Sequence, residues 1–176
     1  MLEKIRFYHV IFFALSFAIF STEIRAETMP RFEVTTLNKN EKVIPENLLN
    51  SPSVFVIGFT KGSRKQTLAW TKALELRYAT GTPKIYGVAV LETVPKFVRG
   101  FVKKMIKGDI KKDNYDDFFV VTQQSEQWKS LVDFNNKNDA YIIAMTEDFS
   151  VVHKISGTVS EEKIDLIEKS LNLTDR

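Results

Sequence analysis

The sequence of 176 residues contains no cysteine, and this absence removes several classes of function at once. Without a thiol there is no disulfide, no thiolate metal ligand, no cysteine-linked lipid anchor and no thiol nucleophile. Histidine is almost as scarce, because His9 and His153 are the only two. A multi-histidine metal centre is therefore excluded within one chain. We predict no metal site, no cofactor and no catalytic residue.

Hydrophobic runs long enough to cross a bilayer are also missing. The apolar run Val10–Phe20 has eleven residues, whereas a spanning helix needs about 20. Two cations, Lys4 and Arg6, precede this run, and Ala26 is a small residue of the kind found immediately before a signal-peptide cleavage site. The pattern predicts a signal peptide over residues 1–26, cleaved after Ala26, and a periplasmic or secreted domain over 27–176; the alternative is an uncleaved N-terminal anchor.

A strong excess of one charge sign is absent. The chain has 25 basic and 22 acidic residues, a net charge of +3, and the part after residue 26 has 22 and 20, or +2. This balance is unlike that of nucleic-acid-binding proteins, so we predict no nucleic-acid partner. The 44% hydrophobic and 27% charged content is typical of a folded globular domain.

Hydrophobic periodicity predicts an alternation of strands and helices. Apolar runs of strand length occupy residues 31–37, 54–60, 84–91, 118–121, 140–145 and 150–155. Helical spacing and capping residues predict helices over 63–80, 95–106, 124–134 and 160–172, and a short helical turn over 45–50. The second and third strands should be parallel because a helix connects them, and the last two should form an antiparallel hairpin.

This order resembles the thioredoxin superfamily across most of residues 31–172. The resemblance is carried by Val56-Ile-Gly-Phe-Thr60 with its following helix, and by the block Ala140–Gly157 before the last helix. It implies an α/β fold, a thioredoxin-like three-layer α/β/α sandwich with a mixed central sheet. The layout is similar to peroxiredoxins, copper-chaperone relatives and the mitochondrial ATP-synthase assembly factor of this fold. Lys61-Gly-Ser-Arg-Lys65 and Lys96-Phe-Val-Arg99 are similar to cysteine-less periplasmic proteins of the YtfJ type.

The resemblance also implies which activity has been lost. The two thiols of the family's redox motif fall near Gly62 and Lys65, and the family's cis-proline is expected near Asp139 or Ala140. Neither feature is present in this sequence. Because the thiol pair and the proline together form the substrate-binding face in active members, the resemblance implies loss of disulfide exchange and of peroxide reduction.

The loop after the second strand is the first candidate site. It precedes a helix N-terminus, where free N–H groups and the helix dipole favour an anion, and it carries three cations. Its residues are Lys61, Gly62, Ser63, Arg64 and Lys65. In the alternative interpretation Gly62 makes the turn, Ser63 caps the helix and the cations are solvated.

The helix that follows residue 95 is the second candidate. A spacing of three and four predicts one apolar stripe along it, formed by Phe97, Val98, Phe101, Val102, Met105 and Ile106. Its stretch from Lys96 to Lys112 contains seven cations, among them Arg99 and Lys103, and one acid, Asp109. Such a helix could bind an anionic lipid surface or an acidic partner. The alternative is a helix that packs on the core and exposes its outer side to solvent. Three acids follow it, Asp113, Asp116 and Asp117, and we interpret them as solvated because their spacing is not that of a calcium loop. His153 is predicted to be a half-exposed sheet residue.

The sequence thus favours an exported, redox-inactive, non-enzymatic protein that acts by binding, as an assembly or chaperone-like factor. The expected partner is another envelope protein or an anionic surface. The alternative is an enzyme or carrier of a small anionic ligand, with Arg64 and Lys65 holding the anion.

Overall fold

A computed structural model describes residues 27–173 as a mixed sheet with helices on both faces. The predicted leader, residues 1–26, lies outside the described residues, as do residues 174–176. The strands are β1 (Glu27–Thr28), β2 (Phe32–Thr36), β3 (Glu41–Ile44), β4 (Ser53–Gly58), β5 (Lys84–Val90), β6 (Phe118–Val121), β7 (Tyr141–Met145) and β8 (Ser150–Ser156). The helices are α1 (Arg64–Arg77), α2 (Lys96–Asp109), α3 (Ser125–Leu131) and α4 (Glu161–Ser170). Within the described range no helix combines the length and apolarity needed to cross a bilayer.

The strand order confirms the predicted mixed sheet. The eight strands run β1-β8-β7-β4-β5-β6-β2-β3. The predicted parallel pair is β4 with β5, which continues in parallel to β6, and the predicted hairpin is the antiparallel pair β7 and β8. Strand β4 lies at the centre and is buried over Ser53–Ile57, because its Val, Phe and Ile side chains contact helices or loops on both faces.

The largest differences from the sequence-based expectation lie at the edges of the sheet. Strands β1 and β3 were not predicted, since β1 has two residues and β3 begins with Glu41 and Lys42, which break the apolar alternation. Residues 45–50 form hydrogen-bonded turns and not a helical turn. A 3-10 turn over Lys112–Asp117 precedes β6. Edge elements are short and polar, so hydrophobic periodicity identifies them poorly.

Successive side chains along each strand point to opposite faces of the sheet, so the hydrophobic core has one part on each face. On one face, α1 and α4 cover β4 and β7, and the fully buried Trp70, Leu74 and Ile167 fill the space between helices and sheet. On the opposite face α3 contributes Trp128, which stacks on Phe32 with ring centroids 4.1 Å apart. The three layers of the predicted sandwich are therefore present.

Helix α2 lies on the same face as α1 but is held much less deeply. None of its residues is buried. Val102 and Ile106 pack, partly exposed, against the small cluster around Leu91 and Val120. The gap between α1 and α2 lies over β5, where Gly87 and Ala89 present little or no side chain to this face.

Candidate functional site

The loop 60–65 is organised by Thr60 rather than by Ser63. Thr60 accepts a hydrogen bond at Oγ1 from the Gly62 N–H (3.1 Å) and so caps a 3-10 turn over Lys61–Ser63. Ser63 is buried, and its hydroxyl donates to the Thr60 carbonyl (2.9 Å). The expectation that the Ser63 side chain caps α1 was wrong, because the hydroxyl is turned back into the loop and makes no bond to the helix.

This loop is tied to the segment before β7, where the resemblance located the substrate-binding face. Thr60 donates through Oγ1 to the Lys137 carbonyl (2.6 Å). Gly62 approaches Asn138 so closely that an added Cβ would lie 2.1 Å from its Oδ1 atom. The two segments are therefore in direct contact, and Gly62 is needed for close approach and not only for the turn.

Gln66, in the first turns of α1, connects this helix to the segment before β7 through two hydrogen bonds. Its Oε1 accepts from the Ala140 N–H (3.0 Å), and its Nε2 donates to Asp139 Oδ1 (3.2 Å). The cis peptide bonds of the described chain precede Pro45 and Pro83, and the Asp139–Ala140 bond is not among them. The backbone N–H that a proline would lack is thus present and hydrogen-bonded.

The three cations of the loop have different environments. Arg64 forms a two-point ion pair with Asp109 of α2, with Nε–Oδ2 at 2.8 Å and Nη2–Oδ1 at 2.5 Å. Lys61 and Lys65 are exposed, and neither pairs with an acid among residues 27–173. The Gly62 N–H, the Ser63 hydroxyl and the Arg64 guanidinium are already engaged within the protein, so an anion here would depend mainly on the two lysines.

The second candidate, α2, presents aromatic side chains to solvent. Phe97 is 91% exposed and Phe101 is 65% exposed. The sequence predicted that both belong to the same stripe as Val98 and Val102. They do not, because consecutive helical residues are about 100° apart. The valines face the sheet and Phe97 lies on the outer side, while Phe101 lies at the margin, mostly exposed but also bordering the gap between α1 and α2.

The cations of α2 also divide into two groups. Arg99 donates to the carbonyls of Val94 and Glu92 (2.8 Å each) and so fixes the segment that leads into the helix. Lys103 and Lys104 form no ion pair within the part of the chain that the structure describes. The single acid of the helix, Asp109, is already paired with Arg64. The outer surface of α2 therefore combines exposed aromatic rings with uncompensated positive charge.

An apolar pocket lies between α1 and α2. Its volume is about 320 Å³, and its floor is formed by Gly58 of β4, by Ala89 of β5 and by the Phe118 ring, which covers Gly87. The walls carry Leu68, Leu91, Val94, Val98, Phe101, Val102, Met105 and Ile106, and the charged lining residues are Lys61, Arg64 and Asp109. Sequence reasoning missed this pocket, although one signal was present: Gly87 and Ala89 on the helix-facing side of β5 are small, whereas Tyr86, Val88 and Val90 on its other face are large.

The prediction that the three acidic residues after α2 are solvated is wrong for two of them. Asp116 accepts hydrogen bonds from Asn38 (2.7 Å), Asn40 (2.9 Å) and Thr36 (3.2 Å), and Asp117 pairs with Lys84 (2.6 Å). These bonds join the 3-10 turn to neighbouring strands. Among the described residues no three acidic or histidine side chains converge in a way that would hold a metal ion. His153 is a partly exposed residue of β8, as predicted.

The environment of Asp116 leads to a pH prediction. Hydrogen bonds from Asn38 and then Asn40 lower the pKa of this carboxyl below its usual value. A carboxyl whose pKa is lowered by folding stabilises the folded state above its unfolded pKa, near 4, and loses that effect as pH falls through the folded pKa. We expect Asp116→Asn to lower the free energy of unfolding at about pH 7 and to approach the wild type at about pH 2.

Urea unfolding across this pH range measures the difference. Asp113→Asn, which removes the same charge at an exposed position, serves as the control and should change little. A destabilisation by Asp116→Asn that is equally large at both ends of the range would contradict the electrostatic explanation.

Comparison with known proteins identifies the fold. No protein-family model matches the chain, and no curated protein matches it in sequence. A thioredoxin of Streptococcus pneumoniae, described as an exposed lipoprotein, aligns with a TM-score of 0.57 and 10% identity over 80% of this chain and 99% of that one. The chain has a thioredoxin-like fold.

Two further structures extend the similarity of this thioredoxin-like chain. The thioredoxin domain of a thiol-disulfide oxidoreductase from Bacteroides vulgatus aligns with a TM-score of 0.57 and 17% identity, over 84% of this chain and 97% of that one. Arabidopsis thaliana ScoI, with copper bound, aligns with a TM-score of 0.54 and 10% identity, over 84% and 99%. Identities this low establish the fold and not an activity. The absence of cysteine argues against thiol redox chemistry here, and the similarity to YtfJ-type proteins stays a prediction.

Proposed function

We propose that this protein is exported and acts by non-covalent binding, as an assembly or chaperone-like factor, with the outer surface of α2 as its contact with a partner. The observation that carries the proposal is the exposure of Phe97 and Phe101 on a helix with uncompensated cations. Large aromatic side chains are enriched in protein interfaces, where they supply much of the binding free energy. Export is supported by the apolar run Val10–Phe20, and one structurally similar thioredoxin is described as an exposed lipoprotein.

The chemistry of the surface narrows the class of partner. Phe97 and Phe101 require an apolar counterpart, while Lys103 and Lys104 attract acidic groups and repel basic ones. An envelope protein with an apolar patch bordered by Asp or Glu fits both requirements. The hydrogen bonds of Thr60 and Gln66 support this location indirectly, since they occupy the region that active thioredoxin-like proteins use for substrates.

An alternative is a small anionic ligand at the loop 61–65, held by Lys61 and Lys65. Its supporting observation is that both lysines are exposed without an ion pair in the described structure. The engagement of Arg64 with Asp109 weighs against it, because the strongest anion-binding side chain of the loop is already neutralised. We therefore favour the partner surface of α2.

Affinity capture with matched variants tests the proposal. The mature chain from Glu27 serves as bait in envelope extract, beside Phe97→Ser/Lys104→Glu, which changes the α2 surface without touching the residues that line the pocket. Loss of a central aromatic contact and reversal of a charge should lower partner recovery by about tenfold or more. Leu76→Ser/Lys72→Glu makes equivalent changes on α1, where Leu76 is 72% exposed, and should recover the partner as the wild type does.

Two outcomes would reject the α2 surface. One is equal recovery of the same protein by the wild type and by both double variants. The other is an equal loss with the α1 variant, which would indicate a general effect of surface charge and apolarity.

A further inference from the structure

The pocket between α1 and α2 has walls that are mostly apolar. Two of the hydroxyls along its α1 side are already used: Ser63 donates to the Thr60 carbonyl (2.9 Å), and Thr67 donates to the Arg64 carbonyl (3.0 Å), which leaves the hydroxyl of Thr71. The remaining walls are aliphatic side chains and the rings of Phe59, Phe101 and Phe118. A peptide segment in this pocket would lose water from its amides and gain few partners, whereas a hydrocarbon chain would lose nothing.

The charged side chains that line the pocket are those of Lys61, Arg64 and Asp109. Arg64, the first residue of α1, is neutralised by its two-point ion pair with Asp109, the last residue of α2. Lys61, three residues before Arg64, has no acidic partner in the described part of the chain. Lys61 therefore supplies a free positive charge next to a mostly apolar space.

We propose that this pocket binds a single-chain aliphatic carboxylate, with the hydrocarbon between α1 and α2 over Ala89 and beside the Phe118 ring that covers Gly87, and the carboxylate at Lys61. The volume of about 320 Å³ lies at the lower end of the range of small-molecule sites and suits one chain rather than two. Met105 and the partly exposed valines of α2 form an adaptable wall, because no residue of α2 is buried. This site adjoins the partner surface, because Phe101 borders both, but Phe97, Lys103 and Lys104 do not line the pocket.

Fluorescence titration tests the site directly. The probe is cis-parinaric acid, a long-chain carboxylate whose fluorescence rises in an apolar environment, added to the mature wild-type chain. We expect saturable binding of one probe per chain. Displacement by saturated carboxylates should strengthen by up to about fourfold for each added methylene until the pocket is full. The corresponding long-chain alcohol should displace the probe less well than the acid.

Four variants locate the probe. Ala89→Met fills the pocket from the sheet, and Val98→Trp narrows it from the partly exposed helix, so at least one should fold; each should weaken binding about tenfold or more. Lys61→Gln should weaken binding by about two- to fivefold. Lys65→Gln removes an equally exposed cation that does not line the pocket and should have no effect.

Each part of the proposal can fail on its own. If the wild type shows no saturable binding, or if a folded Ala89→Met or Val98→Trp variant binds with wild-type affinity, the probe does not bind in this pocket. Equal displacement by acid and alcohol, or equal effects of Lys61→Gln and Lys65→Gln, overturns the carboxylate assignment. Parinarate binding by Phe97→Ser/Lys104→Glu should match the wild type, so failure of the partner surface leaves this result unchanged.

Discussion

Replacement of Trp70 by alanine is expected to lower the free energy of unfolding by about 3–5 kcal/mol. Trp70 is fully buried between α1, α4 and the sheet. Its indole Nε1 also donates to the Gly157 carbonyl (2.8 Å), at the end of β8. The substitution would leave a large cavity and an unpaired carbonyl at the same place. Folded domains of this size are commonly stable by about 5–15 kcal/mol, so the variant would lose a large part of its stability.

Denaturant unfolding followed by circular dichroism measures this loss. Trp70→Phe keeps an aromatic ring but removes the N–H donor, so it should be destabilised less than Trp70→Ala. Leu76→Ala lies on the same helix at an exposed position and should change the free energy of unfolding by less than about 0.5 kcal/mol. Similar values for Trp70→Ala and Leu76→Ala would show that α1 is not anchored to the sheet through this tryptophan.

Gly87→Ala should destabilise the fold by about 1–3 kcal/mol through overpacking. The ring of Phe118 covers Gly87, and an added Cβ would lie 2.3 Å from Cδ2 and 2.6 Å from Cε2 of that ring. Backbone strain plays no part, because Gly87 is not among the glycines with positive φ. The ring must move away from its position over β5, and its contacts there are lost.

A double-mutant cycle with Phe118→Ala isolates this contact. Once the ring is removed, Gly87→Ala should be neutral or slightly stabilising, because alanine restricts the unfolded chain more than glycine does. Gly100→Ala in α2 is the control of opposite sign, since no atom lies within 4 Å of its added Cβ, and a helical alanine should stabilise by about 0.5–1 kcal/mol. If Gly87→Ala costs the same with and without Phe118, another contact is responsible.

The central fold was predictable because its signals are local. The continuous apolar runs of β4 and β7 identify buried strands, and the spacing of Ile164, Ile167 and Leu171 identifies α4. The edge strands β1 and β3 were missed because two to four residues with polar members carry too little periodicity. The stripe of α2 was predicted too broadly, since periodicity alone does not show where the sheet ends and the solvent begins.

The site was less predictable because its decisive contacts join distant parts of the sequence. Nothing in the neighbourhood of Gln66 indicates that its amide meets Ala140, and nothing near Asn138 indicates that it lies over Gly62. The pairing of Arg64 with Asp109 is equally non-local. Composition argues against thiol chemistry, but only the packed structure shows which groups occupy the region where the resemblance located the thiols.

The hydrogen bonds of the Gln66 side chain and the close approach of Gly62 limit which residues this region can accept. A cysteine at position 62, where the resemblance implies a thiol, would bring its side chain into collision with Asn138. A proline at position 140 would remove the N–H that Gln66 binds and leave the Gln66 carbonyl without its partner. Installing the residues of a thioredoxin redox face in this chain would therefore cost stability at each single substitution, before any activity could be measured.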